Sequence, residues 1–471
     1  MRFYTYSAPA VRDKEQLTEE IFRDYKECGF NTLMLTGENR YLGDGWANSQ
    51  TKKCFDLAKK VGINEIIFDD WRIYELSMFG DKLVGEGNEY KFQSTLELDA
   101  YIKDCMSEYV NEELFLGLRL HDEPFYNILK SYGLVYRSVK RAAKELGREN
   151  LYIQINMNPM ITDIYNKLCP EKDKDMSDAY EYYIDQVFKA TGADRLAVDN
   201  YPFRTDLYGG RFLDGYYRCF QVLRKKCDEY GAEMSFVLQS FEIYHKTKTW
   251  GRAGYRRIST LNQMMLQMNS ALGFGARDLS FYTYVTHGSS PESVWRSEDG
   301  CSFITNSGEK THIYNYGKIA IQHAQSLSET LFNYDYIGSN LRLHKDMEKY
   351  SFCYIGCGDN EKADGTKSKS EFDNSYQSKT VKSIEFNKDI LLTTELKNNQ
   401  DGTVLHMFQN VVDHIFQTDV KAMKLKVDFG VEYKNAKYFD GKRFINIPLE
   451  NGKFSTELVV GEAAWIIPLK D

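Results

Sequence analysis

Carboxylates stand directly after, or close behind, three short apolar runs of this sequence. Glu123 follows the run at residues 114–120, Asp199 follows residues 195–198, and Glu242 lies a few residues beyond residues 233–238. A pair of carboxylates can divide acid–base work, because one gives a proton to a leaving oxygen while the other acts as nucleophile or base. These three residues are therefore the candidate catalytic residues.

Glu123 is the best candidate for the proton donor. It ends an apolar run, so its carboxyl group is expected to be partly desolvated, which raises the pKa of an acid toward a working range. Asp122 points to the other side of the strand if the extended backbone continues, and is expected to make a structural hydrogen bond.

The partner of Glu123 stays open between two carboxylates. Asp199 comes directly after Leu196-Ala197-Val198 and is better placed by the strand pattern, although it could instead accept a substrate hydroxyl or hold Tyr201. Glu242 lies further past its apolar run and could belong to a loop.

Rings, amides and one cation accompany these carboxylates. Asp70 beside Trp71 would supply a hydroxyl acceptor next to a ring, and sugars offer hydroxyls to the first and apolar C–H faces to the second. Each further candidate, taken alone, is more often structural than ligand-binding, and the two tyrosines near residue 283 could simply fill a core. The further binding candidates are Arg119, His121, Asn156, Asn158, Tyr201, Gln239, Tyr282, Tyr284 and Trp295.

Strand-like and helix-like segments alternate up to about residue 332. Apolar runs rich in β-formers predict buried strands, and three-to-four spacing of apolar residues predicts helices between them. The predicted strands are residues 3–6, 32–36, 65–68, 114–120, 151–156, 195–198, 233–238 and 278–284. The predicted helices are residues 16–28, 95–110, 125–146, 177–191, 212–230 and 259–272.

Eight such units predict an α/β fold, a (β/α)8 TIM barrel over residues 1–332. A doubly wound sheet is the alternative, but no GxGxxG follows the first strand. In a barrel the carboxyl ends of the strands meet at one mouth, so the candidate residues above are expected to lie together.

The pattern changes after about residue 334. Short alternating runs at residues 341–343, 351–355, 383–386, 390–394, 404–409, 424–427 and 463–468 predict a small C-terminal antiparallel β-sandwich over residues 333–471. Residues 358–379, rich in Gly, Asp, Asn, Ser and Lys, are predicted to form a long loop.

Composition excludes several classes of protein. A formal charge of −8 gives no electrostatic footprint for nucleic acid, and no apolar run approaches the ~20 residues of a membrane span. The start of the sequence has no signal-peptide pattern and the nine cysteines are scattered, so a cytoplasmic protein with free thiols is expected. No metal or cofactor is expected, and assembly of identical copies stays open.

Aromatic residues make up 14% of the chain. They could pack a core or wall a polar cleft, and composition alone does not favour either.

Three motifs resemble the barrel glycoside hydrolases of clan A, in particular the β-galactosidase-like enzymes of family 42 and their uncharacterised bacterial relatives. They are Leu-His-Asp-Glu-Pro at residues 120–124, Asp-Asn-Tyr-Pro-Phe at 199–203 and Phe-Val-Leu-Gln-Ser-Phe at 236–241. Residues 259–276, 281–284 and 308–314 also resemble the last barrel unit of that group, so the resemblance covers roughly residues 1–340.

The resemblance implies a role for Glu123 as acid/base, and Glu242 is the carboxylate available for the nucleophile. Two departures stand out: Asp122 replaces the usual Asn, and Gln239 stands where a nucleophile is expected, so different stereochemistry with Asp199 as base stays open. The expected activity is exo-acting hydrolysis of short oligosaccharides or small glycosides. The alternatives are a metal-dependent barrel isomerase or lyase acting on sugars, with His121, Asp70, Asp199 and Glu242 as ligands, and a non-catalytic carbohydrate-binding barrel.

Overall fold

The fold is described from a computed structural model of the chain. It describes residues 1–6, 17–35, 45–160, 169, 176–203, 211–245, 258–285, 293–295, 302–345, 372–412 and 422–470.

Eight parallel strand positions form the N-terminal part. Their bounds are β1 (Arg2–Thr5), β2 (Thr32–Leu35), β3 (Glu65–Phe68), β4 (Phe115–Arg119), β5 (Tyr152–Gln154) with β6 (Asn156–Met157), β7 (Arg195–Asp199), β8 (Glu233–Gln239) and β10 (Asp278–Tyr282). These bounds agree closely with the predicted strands. Most residues of these strands are buried, as in strands covered on both sides, and the buried side chains include polar ones such as Gln154, Asn156 and Ser280.

The strands pair in two parallel arcs, β2-β3-β4-β5 and β6-β7-β8-β10-β1. The predicted fifth strand is interrupted at Ile155, where it passes from one arc to the other: the amide of Leu120 donates to the Gln154 carbonyl, and that of Ala197 to the Ile155 carbonyl. Strand five therefore joins the two arcs.

No strand ladder joins β1 to β2 among the described residues. One backbone bond crosses this seam, from the Asn31 amide to the Phe3 carbonyl (3.1 Å), and side chains add to it: the Asn31 side chain accepts from the amide of Phe3 (2.9 Å) and donates to the carbonyl of Met1 (3.0 Å). The Tyr25 hydroxyl likewise accepts from the amide of Thr5 and donates to the carbonyl of Thr32. The described residues thus form two parallel arcs and not a continuously laddered closed barrel.

Helices follow most of the strands. They are α1 (Glu19–Glu27), α2 (Gln50–Val61), α3 (Trp71–Tyr74), α4 (Thr95–Ser107), α5 (Leu129–Glu145), α6 (Met176–Thr191), α7 (Arg211–Tyr230), α8 (Leu261–Gly273) and α9 (His312–Leu331). Thr18, Ser49, Ser94 and Thr260 cap their helices by accepting a backbone amide, which satisfies one unpaired N–H of the first turn. Helices α2 and α3 were not among the predicted segments.

The C-terminal part is antiparallel. Its strands are β12 (Tyr334–Leu343), β13 (Ser383–Phe386), β14 (Ile390–Asn398), β15 (Val404–Asn410), β16 (Met423–Asp428), β17 (Tyr433–Phe439), β18 (Phe444–Pro448), β19 (Lys453–Leu458) and β20 (Ala463–Lys470). They form a six-stranded sheet, β12-β14-β15-β20-β17-β18, and a three-stranded sheet, β13-β16-β19, with Leu391, Phe408, Leu425 and Phe454 in a core between them. A further short pair, β9 (Ile243–His245) and β11 (Ser293–Trp295), is also antiparallel.

The predicted β-sandwich pattern missed β17, β18 and β19, whose mixed polar sequences are half exposed. The predicted strand at residues 351–355 and most of the predicted loop at 358–379 lie outside the described residues. Six cysteines are described, and all six are buried and outside any disulfide: Cys28, Cys54, Cys105, Cys169, Cys219 and Cys227.

Candidate active site

Glu123 lies just beyond β4, where the backbone leaves the extended conformation. Its φ angle is 48°, in the left-handed region that residues other than glycine rarely adopt. Strand five holds this backbone from both sides, since the Glu123 amide donates to the Asn156 carbonyl (3.0 Å) and Asn158 Nδ2 donates to the Glu123 carbonyl (2.9 Å). The unusual conformation is therefore fixed by neighbouring residues, as is common at functional sites.

The carboxyl groups of Glu123 and Asp199 form a hydrogen bond to each other. Burial, with the negative charge of Asp122 added, raises the pKa of Glu123 to about 7. Burial and the nearby charge of Glu123 raise the pKa of Asp199 well above its usual value. Two adjacent carboxyls cannot both ionise easily, so the pair retains one proton near neutral pH.

Arg119, the last residue of β4, lies beside this pair and binds two further carboxylates. Its guanidinium donates to both oxygens of Asp69 (2.8 and 2.9 Å) and lies 3.3 Å from Asp122 Oδ2. Asn156 Nδ2 donates to Asp122 Oδ1 (3.0 Å), so Asp122 makes structural hydrogen bonds, as its position in the strand predicted. This network fixes the residue directly before Glu123.

Two groups of rings flank the carboxyl pair. The outer stack consists of Trp71, Tyr74 and His121, all partly exposed. The inner ring cluster consists of Tyr201, Phe241 and Tyr282, with Tyr201 and Tyr282 each in ring contact with Phe241 (centroids 4.9 and 5.4 Å).

Tyr6 lies between the two ring groups. Its ring is 5.9 Å from Tyr282 and 5.3 Å from the Arg119 guanidinium carbon. The buried Tyr6 hydroxyl, Asn156 Oδ1 and Asp199 Oδ1 find no hydrogen-bond partner in the described part of the chain. Buried polar atoms of this kind are satisfied by water or by a ligand, so this part of the site suits a hydroxylated molecule.

Glu242 is 5% exposed and follows Phe241 beyond the end of β8. Gln239, at the end of β8, is fully buried and serves as a tie between loops: its Oε1 accepts from the amide of Phe203, and its Nε2 donates to the carbonyls of Phe203 and Phe241. Gln239 thus holds the segments that carry Tyr201 and Glu242, and its amide is used by backbone groups.

Two of the remaining sequence candidates, Asp70 and Tyr284, do not join this group. Asp70 caps α3, and its carboxylate accepts hydrogen bonds from Arg72 and from the Tyr109 hydroxyl (3.0 Å). Asp70 therefore stabilises the start of α3. Tyr284 is buried among Tyr25, Phe30 and Phe303, so it belongs to the core. Trp295 lies in β11, and its side chain is outside the described part of the structure.

Most of the other sequence candidates lie at the carboxyl ends of the parallel strands. They are Glu123, Asp199, Arg119, His121, Asn156, Asn158, Trp71, Tyr201 and Tyr282, with Gln239 and Glu242 at and just beyond the end of β8. Tyr6 and Tyr74 were missed as site residues. Tyr74 stands three residues after Trp71, a spacing that puts both rings on one face of a helical turn. That spacing was the available signal, but α3 is only one turn long and was not predicted.

None of the helices in the described ranges combines the length and apolarity needed to cross a bilayer. In the same ranges, no group of three or more His, Cys, Asp or Glu side chains is arranged to hold a metal ion.

No protein-family profile matches the sequence, and no curated protein gives a significant sequence match. Solved structures do match. The chain is similar to a β-galactosidase from Bacillus circulans sp. alkalophilus (TM-score 0.56, 9% identity, 100% of this chain and 99% of that chain). It is also similar to a glycoside hydrolase (0.54, 10%, 100% and 92%) and to a family 27 β-L-arabinopyranosidase from Geobacillus stearothermophilus (0.51, 9%, 99% and 95%). The chain therefore shares its fold with solved glycoside hydrolases.

Proposed function

We propose that this protein is a glycoside hydrolase in which Glu123 is the general acid. The observation that carries the proposal is the Glu123–Asp199 carboxyl pair at the ends of β4 and β7, with the pKa of Glu123 raised to about 7. A carboxyl group that keeps its proton near neutral pH can give it to the leaving glycosidic oxygen. The shared fold is consistent with this activity but does not establish it, since one fold hosts many functions.

The second carboxylate of the reaction is proposed to be Glu242. Paired carboxyls in glycosidases are separated by roughly 5–5.5 Å in retaining enzymes and roughly 6.5–9.5 Å in inverting ones, to leave room for the sugar or a water. A hydrogen-bonded pair is closer than either separation. Asp199 is therefore assigned a positioning role: it holds the Glu123 carboxyl group through their hydrogen bond, and its Oδ1 is buried without a hydrogen-bond partner in the described residues.

The finer assignment has three parts. The parallel arcs are proposed to form a closed (β/α)8 barrel. The enzyme is proposed to resemble family 42 β-galactosidases. Its cleavage is proposed to be exo-acting on short oligosaccharides or small glycosides, in the cytoplasm. The support is the motif resemblance around Glu123 and Asp199, together with the rings that flank them, since sugars pack their C–H faces on rings.

Replacing the proton donor tests the activity. We expect the wild-type protein to hydrolyse at least one member of a panel of natural disaccharides and aryl glycosides, and Glu123→Gln to lower kcat for the disaccharide by about 10²–10⁴-fold. Glu113→Gln is a matched control, because Glu113 is an exposed residue before the same strand, at its opposite end. Unchanged turnover in Glu123→Gln would refute the proposal, and sugar binding without any turnover would favour a binding protein.

A separate experiment tests the second carboxylate. In Glu242→Ala, external azide is expected to restore activity on an activated aryl glycoside and to yield a glycosyl azide, because azide replaces a lost nucleophile. Rescue of Asp199→Ala, with no rescue of Glu242→Ala, would show instead that Asp199 is the partner of Glu123.

A further inference from the structure

We infer that the outer stack of Trp71, Tyr74 and His121 is the leaving-group subsite, and that it takes a sugar ring. The inference rests on the proposed function and adds a substrate class to it: glycosides whose leaving group is itself a saccharide. Three features support it, namely the geometry of the stack, its attachment to the proton donor, and its contrast with the inner ring cluster.

The three rings of the outer stack pack one after another, Trp71 against Tyr74 and Tyr74 against His121. The rings of Trp71 and Tyr74 are nearly parallel, with centroids 5.0 Å apart and planes inclined by 14°. The centre of the His121 ring lies 5.1 Å from that of Tyr74, and the two planes are inclined by 32°. All three side chains are partly exposed, so a planar apolar surface remains accessible at the rim of the site.

The stack is fixed to the loop that carries the proton donor. His121 precedes Glu123 by two residues, and the Asp122 amide donates a hydrogen bond to the Tyr74 hydroxyl (3.3 Å). The Arg119 guanidinium carbon lies 5.7 Å from the Tyr74 ring centre, which supports the ring. A general acid must touch the oxygen that leaves, so the group bonded to that oxygen lies on the side of the site that Glu123 and the stack share.

The inner ring cluster lies on the other side. Tyr201 and Phe241 follow β7 and β8, and Tyr282 ends β10, all in one parallel arc. Trp71, Tyr74 and His121 follow β3 and β4 of the other arc. Phe241 and Glu242 are 3% and 5% exposed, so this side is the more enclosed. It suits the sugar whose anomeric carbon reacts, because the second carboxylate must reach that carbon.

The side chain of His121 also suits a sugar. Burial lowers the pKa of His121, so its ring is neutral near pH 7 and offers one donor and one acceptor. Its buried Nδ1 has no hydrogen-bond partner in the described ranges. The face of the His121 ring can pack against the apolar C–H face of a pyranose, and its Nδ1 can form a hydrogen bond with a pyranose hydroxyl.

The test compares two substrates with the same reacting sugar. One is the disaccharide that the wild-type protein cleaves best, and the other is the corresponding glycosyl fluoride, whose leaving group has no ring to stack. Trp71→Ala is expected to lower kcat/KM for the disaccharide about tenfold, the effect of losing roughly 1.4 kcal/mol of aromatic contact. The same variant should change kcat/KM for the fluoride by less than about twofold. Trp71→Phe should restore most of the loss.

Tyr230→Ala is the control, because Tyr230 is an exposed ring that precedes β8, at the opposite end of the strands from the site. Equal losses on disaccharide and fluoride in Trp71→Ala would overturn the subsite while leaving the hydrolase intact. An unchanged disaccharide rate would overturn it as well. If the wild-type protein cleaves neither substrate, the proposed function fails and the subsite fails with it.

Discussion

At the scale of single residues, the site depends on two carboxyl groups that share a proton. Burial raises the pKa of both groups and the negative charge of Asp122 adds to it, whereas their mutual hydrogen bond raises the pKa of Asp199 and lowers that of Glu123. The form in which Glu123 itself holds a proton can act as an acid, because ionised Glu123 has no proton to give.

This arrangement predicts the pH dependence of catalysis. The acid must be protonated, so kcat/KM should fall as pH rises through about 7, the pKa of Glu123. In Asp122→Asn a negative charge that raises the pKa of Glu123 is removed, so the pKa of Glu123 should decrease. A pH profile of kcat/KM measures both: the alkaline limb should move to lower pH in the variant. A limb that stays in place or moves to higher pH would contradict the contribution of Asp122 to the pKa of Glu123.

The sequence predicted the positions of Glu123 and Asp199 at strand ends, but not the contacts of the residues around them. Glu123 and Asp199 follow apolar runs directly, and such runs indicate strand ends in a parallel fold. The alternative uses of Asp70 and Tyr284 depend on contacts with Arg72, Tyr109 and Tyr25, which no local pattern reveals.

At the scale of elements, β4 positions the acid, and its close approach to β5 depends on Gly117. A Cβ atom at Gly117 would lie 1.8 Å from the carbonyl oxygen of Tyr152, a backbone atom of the paired strand. Neither strand can move without disturbing the Asn156 and Asn158 contacts that hold Glu123. The glycine is thus required by packing.

Gly117→Ala should therefore destabilise the fold by about 3 kcal/mol, the usual scale of an overpacked core, and should reduce activity in what remains folded. Urea unfolding measures the loss. Gly147→Ala is the matched control, because Gly147 has a positive φ of 80° but a Cβ atom added there would meet no atom within 4 Å, so it should cost roughly 1 kcal/mol. Equal costs at the two sites would show that the β4–β5 approach is not the constraint.

The apolar runs predicted the strands within a few residues because the parallel strands are largely buried and rich in apolar residues. They could not predict the seam between β1 and β2, where Asn31 and Tyr25 replace a strand ladder. Those contacts depend on three-dimensional proximity of side chains. The break of strand five at Ile155 was missed for the same reason.

At the scale of the whole molecule, the C-terminal sheet shares a core with the parallel strands and their helices. Gln409 of β15 is fully buried and donates to the carbonyl of Leu266 in α8 (2.9 Å), and Ser270 Oγ donates back to its Oε1 (2.9 Å). Trp465 of β20, fully buried, donates to Asn269 Oδ1 (3.3 Å). The apolar face of α8 is therefore covered by the C-terminal strands.

This shared core predicts that the two parts unfold together. The full chain should show one cooperative transition, and a fragment of residues 1–332 should lack a cooperative transition, because α8 would expose its buried face. Calorimetry of both proteins decides the matter. A fragment that melts cooperatively near the temperature of the full chain would show that residues 1–332 form an autonomous domain.

The change of pattern near residue 334 matches the switch from α9, ending at Leu331, to β12, starting at Tyr334. Composition cannot reveal that α8 packs against β15 and β20, since an amphipathic helix looks alike whichever sheet covers it. The division at residues 332 and 333 thus marks a change of architecture, and the fragment measures whether it also marks a boundary of stability.

The role of Glu123 as proton donor is tested most directly by the dependence of rate on leaving-group acidity. For a series of aryl glycosides of one sugar, kcat/KM of the wild-type protein should vary little with the pKa of the departing phenol, because Glu123 supplies a proton. In Glu123→Gln the rate should fall steeply as that pKa rises, with near wild-type rates for the most acidic phenols. Parallel lines for the two proteins would contradict the assignment of Glu123 as the acid.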